Sequence, residues 1–123
     1  MEMNDIELLE LAAKAYGVTG QYVNNYGSGN YYYQGNGEGI LWEYPDGGQT
    51  VWNPLDDDGD ALRLAVKLGL AIRPGSQAGG GWSFAESLYN HKFRANEYAG
   101  GDMYAATRRA IVRAAAEIGS KIP

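Results

Sequence analysis

The sequence predicts an α+β fold in which a single antiparallel sheet packs with three helices. Two observations predict it. Three amphipathic segments, 4–16, 57–68 and 102–118, each start at an Asn or Asp cap and are each followed by a glycine. Between them lie short aromatic stretches broken by Gly-, Asn- and Pro-rich turns, the pattern of antiparallel strands. No internal repeat or linker divides the chain, so one domain spanning 1–123 is expected.

The first helix starts at Asn4, and Glu7 completes a capping-box pattern. Leu8, Leu11, Ala12 and Ala15 form its expected buried face, with Leu9 and Tyr16 at the border and Gly17 at its end. Residues 19–52 read as a strand meander. Gln21-Tyr22-Val23, Tyr31-Tyr32-Tyr33, Ile40-Leu41-Trp42-Glu43-Tyr44 and Gln49-Thr50-Val51-Trp52 are the strand candidates. The turn clusters are 24–30, 34–39 and Pro45-Asp46-Gly47-Gly48.

Asn53-Pro54 then biases the backbone away from the helical region. Asp56 or Asp57 can cap the second helix, and with Asp57 as cap Asp60 falls at the third helical position. The carboxylates sit where the helix dipole is positive. Ala61, Leu62, Ala65, Val66 and Leu68 recur at helical spacing, with Arg63 and Lys67 on the other face and Gly69 at the end. A calcium loop fails on spacing. With Gly59 in the sixth position, Pro54 takes the first ligand place and Ala65 the place of the Glu. Capping explains the acidic run, and no metal is expected.

Leu70-Ala71-Ile72-Arg73 reads as a strand and 74–81 as a loop. In 82–88 the residues partly alternate, with Trp82, Phe84 and Leu88 on one side and Glu86 breaking the apolar set. Residues 91–98 are a partner strand with Phe93 and Ala95 inward. The last helix starts at Asp102. Its inner stripe is Ala106 or Thr107, Ile111, Ala114, Ala115 and Ile118, flanked by Arg108, Arg109 and Arg113, and Gly119 ends it. Its alanines allow it to lie close on a sheet.

The net charge of −5 argues against a nonspecific nucleic-acid coat, though a local Arg cluster can still take one small anion. There is no cysteine, so disulfides and thiolate chemistry are excluded. His91 is the single histidine and cannot make a multi-His metal site. No apolar run approaches membrane length and the start lacks a signal-peptide core, so a soluble cytosolic protein with no membrane partner is expected.

Enzymatic patterns are weak. Gly35-Asn36-Gly37-Glu38-Gly39 resembles the start of a dinucleotide fingerprint, but no helix follows, and hairpin turn chemistry is the simpler reading. Ser28, Ser76, Ser83, Ser87 and Ser120 lie in no nucleophile elbow, and His91 has no base–nucleophile partner near in sequence. Paired carboxylates drawn from Glu38, Glu43, Asp46, Glu86 and Glu97 remain the enzymatic option. No catalytic residue and no cofactor is assigned.

Binding chemistry is easier to find. Tyr31, Tyr32 and Tyr33 must point alternately, which serves sheet packing or a stacking platform. A base would stack on Tyr31, Tyr33 or Trp42. Its phosphates would meet glycine turns or Arg73, Arg94, Arg108 and Arg109. The bland alternative for the helical arginines is a solvated face. Three Trp, ten Tyr and two Phe are many for a small core, so a symmetric dimer is expected.

Two segments resemble the phage ABA-sandwich family. They are Trp52-Asn53-Pro54 running into Asp57-Asp58-Gly59-Asp60-Ala61-Leu62-Arg63-Leu64-Ala65-Val66, and 105–115. The resemblance covers about 50–119, the first helix suits the longer members, and the Tyr- and Gly-rich stretch 20–39 is less typical. It implies an antiparallel sheet with helices packed around it and no catalytic motif. It also implies a phage accessory protein acting in the host cytoplasm, of a kind that often counters host defence. The expected function is sequestration of a small nucleotide-like immune signal. The alternatives are a protein–protein inhibitor docking its acidic surface on a host defence complex, and a nucleotide-degrading enzyme.

Overall fold

A computed structural model describes residues 3–24, 37–43, 45–75, 81–87, 94–98 and 101–123. The expected strand at 31–33, the expected turn at 24–30 beyond Asn24, and residues Leu88, His91 and Phe93 lie outside the described residues. In chain order the elements are α1 (Asp5–Tyr16), β1 (Tyr22–Val23), β2 (Gly39–Glu43), β3 (Gln49–Trp52), α2 (Asp58–Leu68), β4 (Leu70–Arg73), β5 (Trp82–Ser87), β6 (Arg94–Tyr98) and α3 (Met103–Gly119).

The fold is α+β, but its described strands make two antiparallel sheets, β1-β2-β3 and β4-β5-β6, where one was expected. Every described pairing joins consecutive strands, and α2 separates the two meanders. The separation is built locally at Asn53. Its backbone N–H donates to Asp60 Oδ2 at 2.9 Å, and its side chain bonds the Glu38 carbonyl and the Leu55 N–H. The chain thus leaves β3 into a capped helix.

All three helices start where their caps predict. Asn4 accepts from Glu7 N at 2.8 Å, Asp57 from Asp60 N at 2.7 Å and Asp102 from Ala105 N at 2.9 Å. Gly17 (φ 92°) and Gly69 (φ 65°) close α1 and α2 in the left-handed conformation. Gly119 does not act this way. It is the last residue of α3, and the cap is Ser120 in a right-handed conformation.

The faces of the helices match the sequence expectation in part: Leu8, Ala12, Ala61, Ala65, Ala106, Ile111, Ala114 and Ala115 are buried, whereas Leu11, Ala15 and Ile118 are half-buried. In α1 the buried residues are Leu8, Leu9, Ala12 and Ala13, so Leu9 is core rather than border. In α2 they are Ala61, Leu64 and Ala65, while Leu62 and Val66 point outward. Two apolar stripes compete on α2, and the one at 61, 64, 65 and 68 faces the core cluster.

Trp52, Leu9, Ile40, Leu64 and Val112 are the largest apolar side chains at the centre of the core. Tyr16 stacks on Trp52 at 5.4 Å, and Lys67 Nζ lies 4.8 Å from the Tyr16 ring centre. Helix α3 runs between α1 and the second sheet. Its buried residues are mostly alanine, and on β5 and β6 the sheet face beneath it is small too, at Ser83, Ala85, Ser87 and Ala95, with Leu70 and Ile72 of β4 beside them. Small against small lets helix and sheet approach closely. The buried Ser83 hydroxyl is satisfied there by the Gly75 N–H at 2.9 Å and the Thr107 hydroxyl at 3.0 Å.

Candidate binding surface on the second sheet

That inner face fixes what the other face carries. Side chains alternate along a strand, so Ser83, Ala85 and Ser87 inward put Trp82, Phe84 and Glu86 outward. The ladder then sets their neighbours. Trp82 pairs with Tyr98, Phe84 with Asn96 and Arg73, and Glu86 with Arg94 and Ala71. Cross-strand partners share a face. Three aromatic rings, two guanidinium groups, an amide and a carboxylate are thus gathered on one side of the sheet.

This side is open. Trp82 is 60% exposed and Tyr98 59%, and Arg73, Arg94 and Asn96 are exposed with them. The Trp82 and Tyr98 rings meet edge to face at 5.6 Å, with 60° between their planes. That geometry uses the quadrupoles well and holds the indole from the side. The Arg94 guanidinium lies 5.0 Å from the Phe84 ring centre, within cation–π range. A flat ring stacked on the indole would have two cations within the same sheet face to meet an attached anion.

The residues singled out from sequence fall in different places. Arg73 and Arg94 are on this open face. Trp42 lies on β2 on the same side as Ile40 and Trp52 and packs against the core. Arg108 donates to the Leu55 carbonyl at 2.8 Å and to Asp58 at 2.7 Å, holding α3 to the start of α2. Arg109 reaches Asp5 at 2.8 Å and Glu97 at 3.5 Å, joining α3 to α1 and β6. Tyr31 and Tyr33 lie outside the described residues. The sequence reading missed Trp82, Phe84, Asn96 and Tyr98. Its available signal was the alternation of small Ser83, Ala85 and Ser87 with large neighbours, facing an alanine-rich helix.

The carboxylates do not gather here. Glu86 points outward, whereas Glu97 points inward and accepts from Arg113 at 2.8 Å. Glu43 and Asp46 belong to the β2–β3 hairpin, where Asp46 accepts from the Gly48 N–H at 2.9 Å. Glu38 lies beside Tyr22, whose phenol pKa is raised above its ordinary value, first by burial and then by the Glu38 charge and hydrogen bond. A cleft of about 420 Å³ between the start of α1, β6 and α3 holds Arg94, Arg109 and Arg113 with Glu97 and Glu117. Two of those arginines are spent on ion pairs within it.

Among the described residues no group of three or more His, Cys, Asp or Glu could hold a metal ion. Among them also, no helix is long and apolar enough to cross a membrane. The chain matches no family model, no curated protein and no solved structure among known proteins.

Proposed function

We propose that this chain is a non-enzymatic binding protein that sequesters a small nucleotide-like ligand on the open face of β4-β5-β6. The exposed Trp82–Tyr98 pair carries the reading, with Arg73 opposite Phe84 and Arg94 opposite Glu86 further along the same sheet face. Large aromatics left in water on a sheet of their own commonly mark a contact surface. A base would stack on the free indole face, a contact worth about 1–3 kcal/mol. Arg94 and Arg73 would take its phosphates by charge-assisted hydrogen bonds. The net charge of −5 favours one small ligand held by a local pair of arginines over a nucleic-acid strand.

The biological setting rests on the resemblance of 50–119 to the phage ABA-sandwich family. On that reading the protein is a phage accessory product that withholds an immune signal in the host cytoplasm. A protein–protein inhibitor is the second reading, and the same surface favours it, because Trp, Tyr and Arg are the residues that dominate protein interfaces.

Calorimetry against a panel of cyclic and linear nucleotides tests the proposal, with the ligand recovered afterwards by heating the complex. Intact recovery supports sequestration. A cleaved ligand would make the protein a nucleotide-degrading enzyme. Failure to bind any nucleotide, together with capture of a host defence protein through Trp82, would make it a protein inhibitor.

A further inference from the structure

The ladder orders the open face of β4-β5-β6 in rows. The first row holds Trp82 and Tyr98, the second Arg73, Phe84 and Asn96, and the third Ala71, Glu86 and Arg94. Side chains two residues apart on one strand face share a side, so successive rows stand about 7 Å apart. The first row is aromatic throughout.

Arg94 leans out of its own row. Its guanidinium lies 5.0 Å from the centre of the Phe84 ring, so its charge is gathered at Phe84, in the second row. There it joins Arg73, the cross-strand partner of Phe84 on β4, and the amide of Asn96 on β6. All three polar side chains are exposed, and among the described residues neither arginine is in an ion pair. Glu86 stands in the third row, a further step from the indole, with an interaction of its own. The face therefore offers one stacking place, at Trp82, and one anion place, about 7 Å along the strand. The Phe84 ring is not a second stacking place, because the Arg94 cation lies over it.

We infer that the ligand class of this face is a nucleotide with a single base and a terminal 5′-phosphate. The inference rests on the nucleotide reading above and narrows it. With the base on the indole, the ribose spans the step between rows and the phosphate meets Arg73, Arg94 and Asn96. A terminal phosphate brings about two negative charges and three free oxygens, which suit two guanidinium groups and an amide. A 3′,5′-cyclic phosphate has a single charge, and its second ester bond draws it back onto the sugar. A dinucleotide joined by an internal phosphodiester would have no place for its second base. Phe84 acts here as a positioning residue, holding the Arg94 guanidinium where the phosphate arrives.

Calorimetry with the four 5′-monophosphates, their 3′,5′-cyclic forms and the nucleosides tests this on the native chain. For the base that binds, the 5′-monophosphate is expected to bind about tenfold or more tighter than the cyclic form and the nucleoside. In Arg73→Gln or Arg94→Gln that preference should collapse, and Phe84→Leu should reduce it, a split between two ligands that lost stability alone would not produce. Lys121→Gln, which removes an exposed cation elsewhere, should keep it. Equal or tighter binding of the cyclic form, or a preference that survives in both arginine variants, would overturn this inference and leave a nucleotide site in place. If neither nucleotides nor nucleosides bind the native chain, the nucleotide reading falls and this inference with it.

Discussion

A Cβ on Gly119 would stand 2.0 Å from the backbone oxygen of Leu11. Helices α3 and α1 therefore cross backbone against backbone, at a distance that only glycine permits. The crossing brings α3 against α1 at one end while its alanines lie on the second sheet. On β5 the small Ser83, Ala85 and Ser87 are left facing inward and Trp82 and Phe84 outward. The open aromatic surface follows from this packing.

Gly119→Ala should be destabilising by about 1–3 kcal/mol, the usual cost of overpacking. The sign is informative, because helix propensity alone favours alanine over glycine by about 1 kcal/mol. Urea denaturation measures it. Gly101→Ala is the control, since a Cβ there meets nothing within 4 Å. A stabilised Gly119→Ala would mean that α1 and α3 do not touch there.

Asn53→Ala should cost more stability than removal of the neighbouring cap in Asp57→Ala. Asn53 is buried, and its loss removes the side-chain bonds to the Glu38 carbonyl and the Leu55 N–H, at about 0.5–1.5 kcal/mol each. Asp57 is exposed, and its cap is worth about 1 kcal/mol. Equal losses in thermal or urea unfolding would show that Asn53 does not organise the exit from β3.

Helix starts and hairpins were legible because they are local. A cap needs one side chain and an N–H three residues on, as at Asn4, Asp57 and Asp102. The Pro45–Gly48 turn likewise placed β2 beside β3. Faces were legible only in part, as at Ala95 and the Ile111, Ala114 and Ala115 stripe of α3, because they depend on what covers them. Trp82 and Phe84 outrank Ser83 and Ala85 in hydrophobicity, yet α3 leaves room only for the smaller pair. The same holds on α2, where Leu64 rather than Leu62 meets the core. The number of sheets depended on pairings that α2 interrupts. Of the candidate site, Arg73 and Arg94 were named from the sequence only alongside Arg108 and Arg109, and their aromatic neighbours needed the register of β5 and β6.

Tyr22 should titrate above the ordinary tyrosine pKa, because burial and then the charge of Glu38 disfavour the phenolate. At alkaline pH the folded chain keeps a proton that the unfolded chain releases, so stability falls as pH rises. The contribution is fully present below the ordinary value, near 10, and is lost as pH rises through the raised one. Tyrosinate absorbance of the native chain against Tyr22→Phe isolates this group. Glu38→Gln should move its titration back toward the ordinary value. An unchanged titration in Glu38→Gln would remove Glu38 as a cause.

The most direct measurement is calorimetric titration of the native chain, Trp82→Ala and Trp42→Ala with cyclic and linear nucleotides. Binding on the open sheet face predicts that Trp82→Ala loses about 1–3 kcal/mol of affinity for whichever nucleotide the native chain holds. Each 1.4 kcal/mol is about tenfold in Kd. Its melting temperature should stay unchanged, since the side chain is largely in water. Trp42→Ala should lower the melting temperature, because Trp42 packs on the core, while the folded fraction binds as before. Full affinity in Trp82→Ala with binding lost in Trp42→Ala would place the site on the first sheet and contradict the assignment made here.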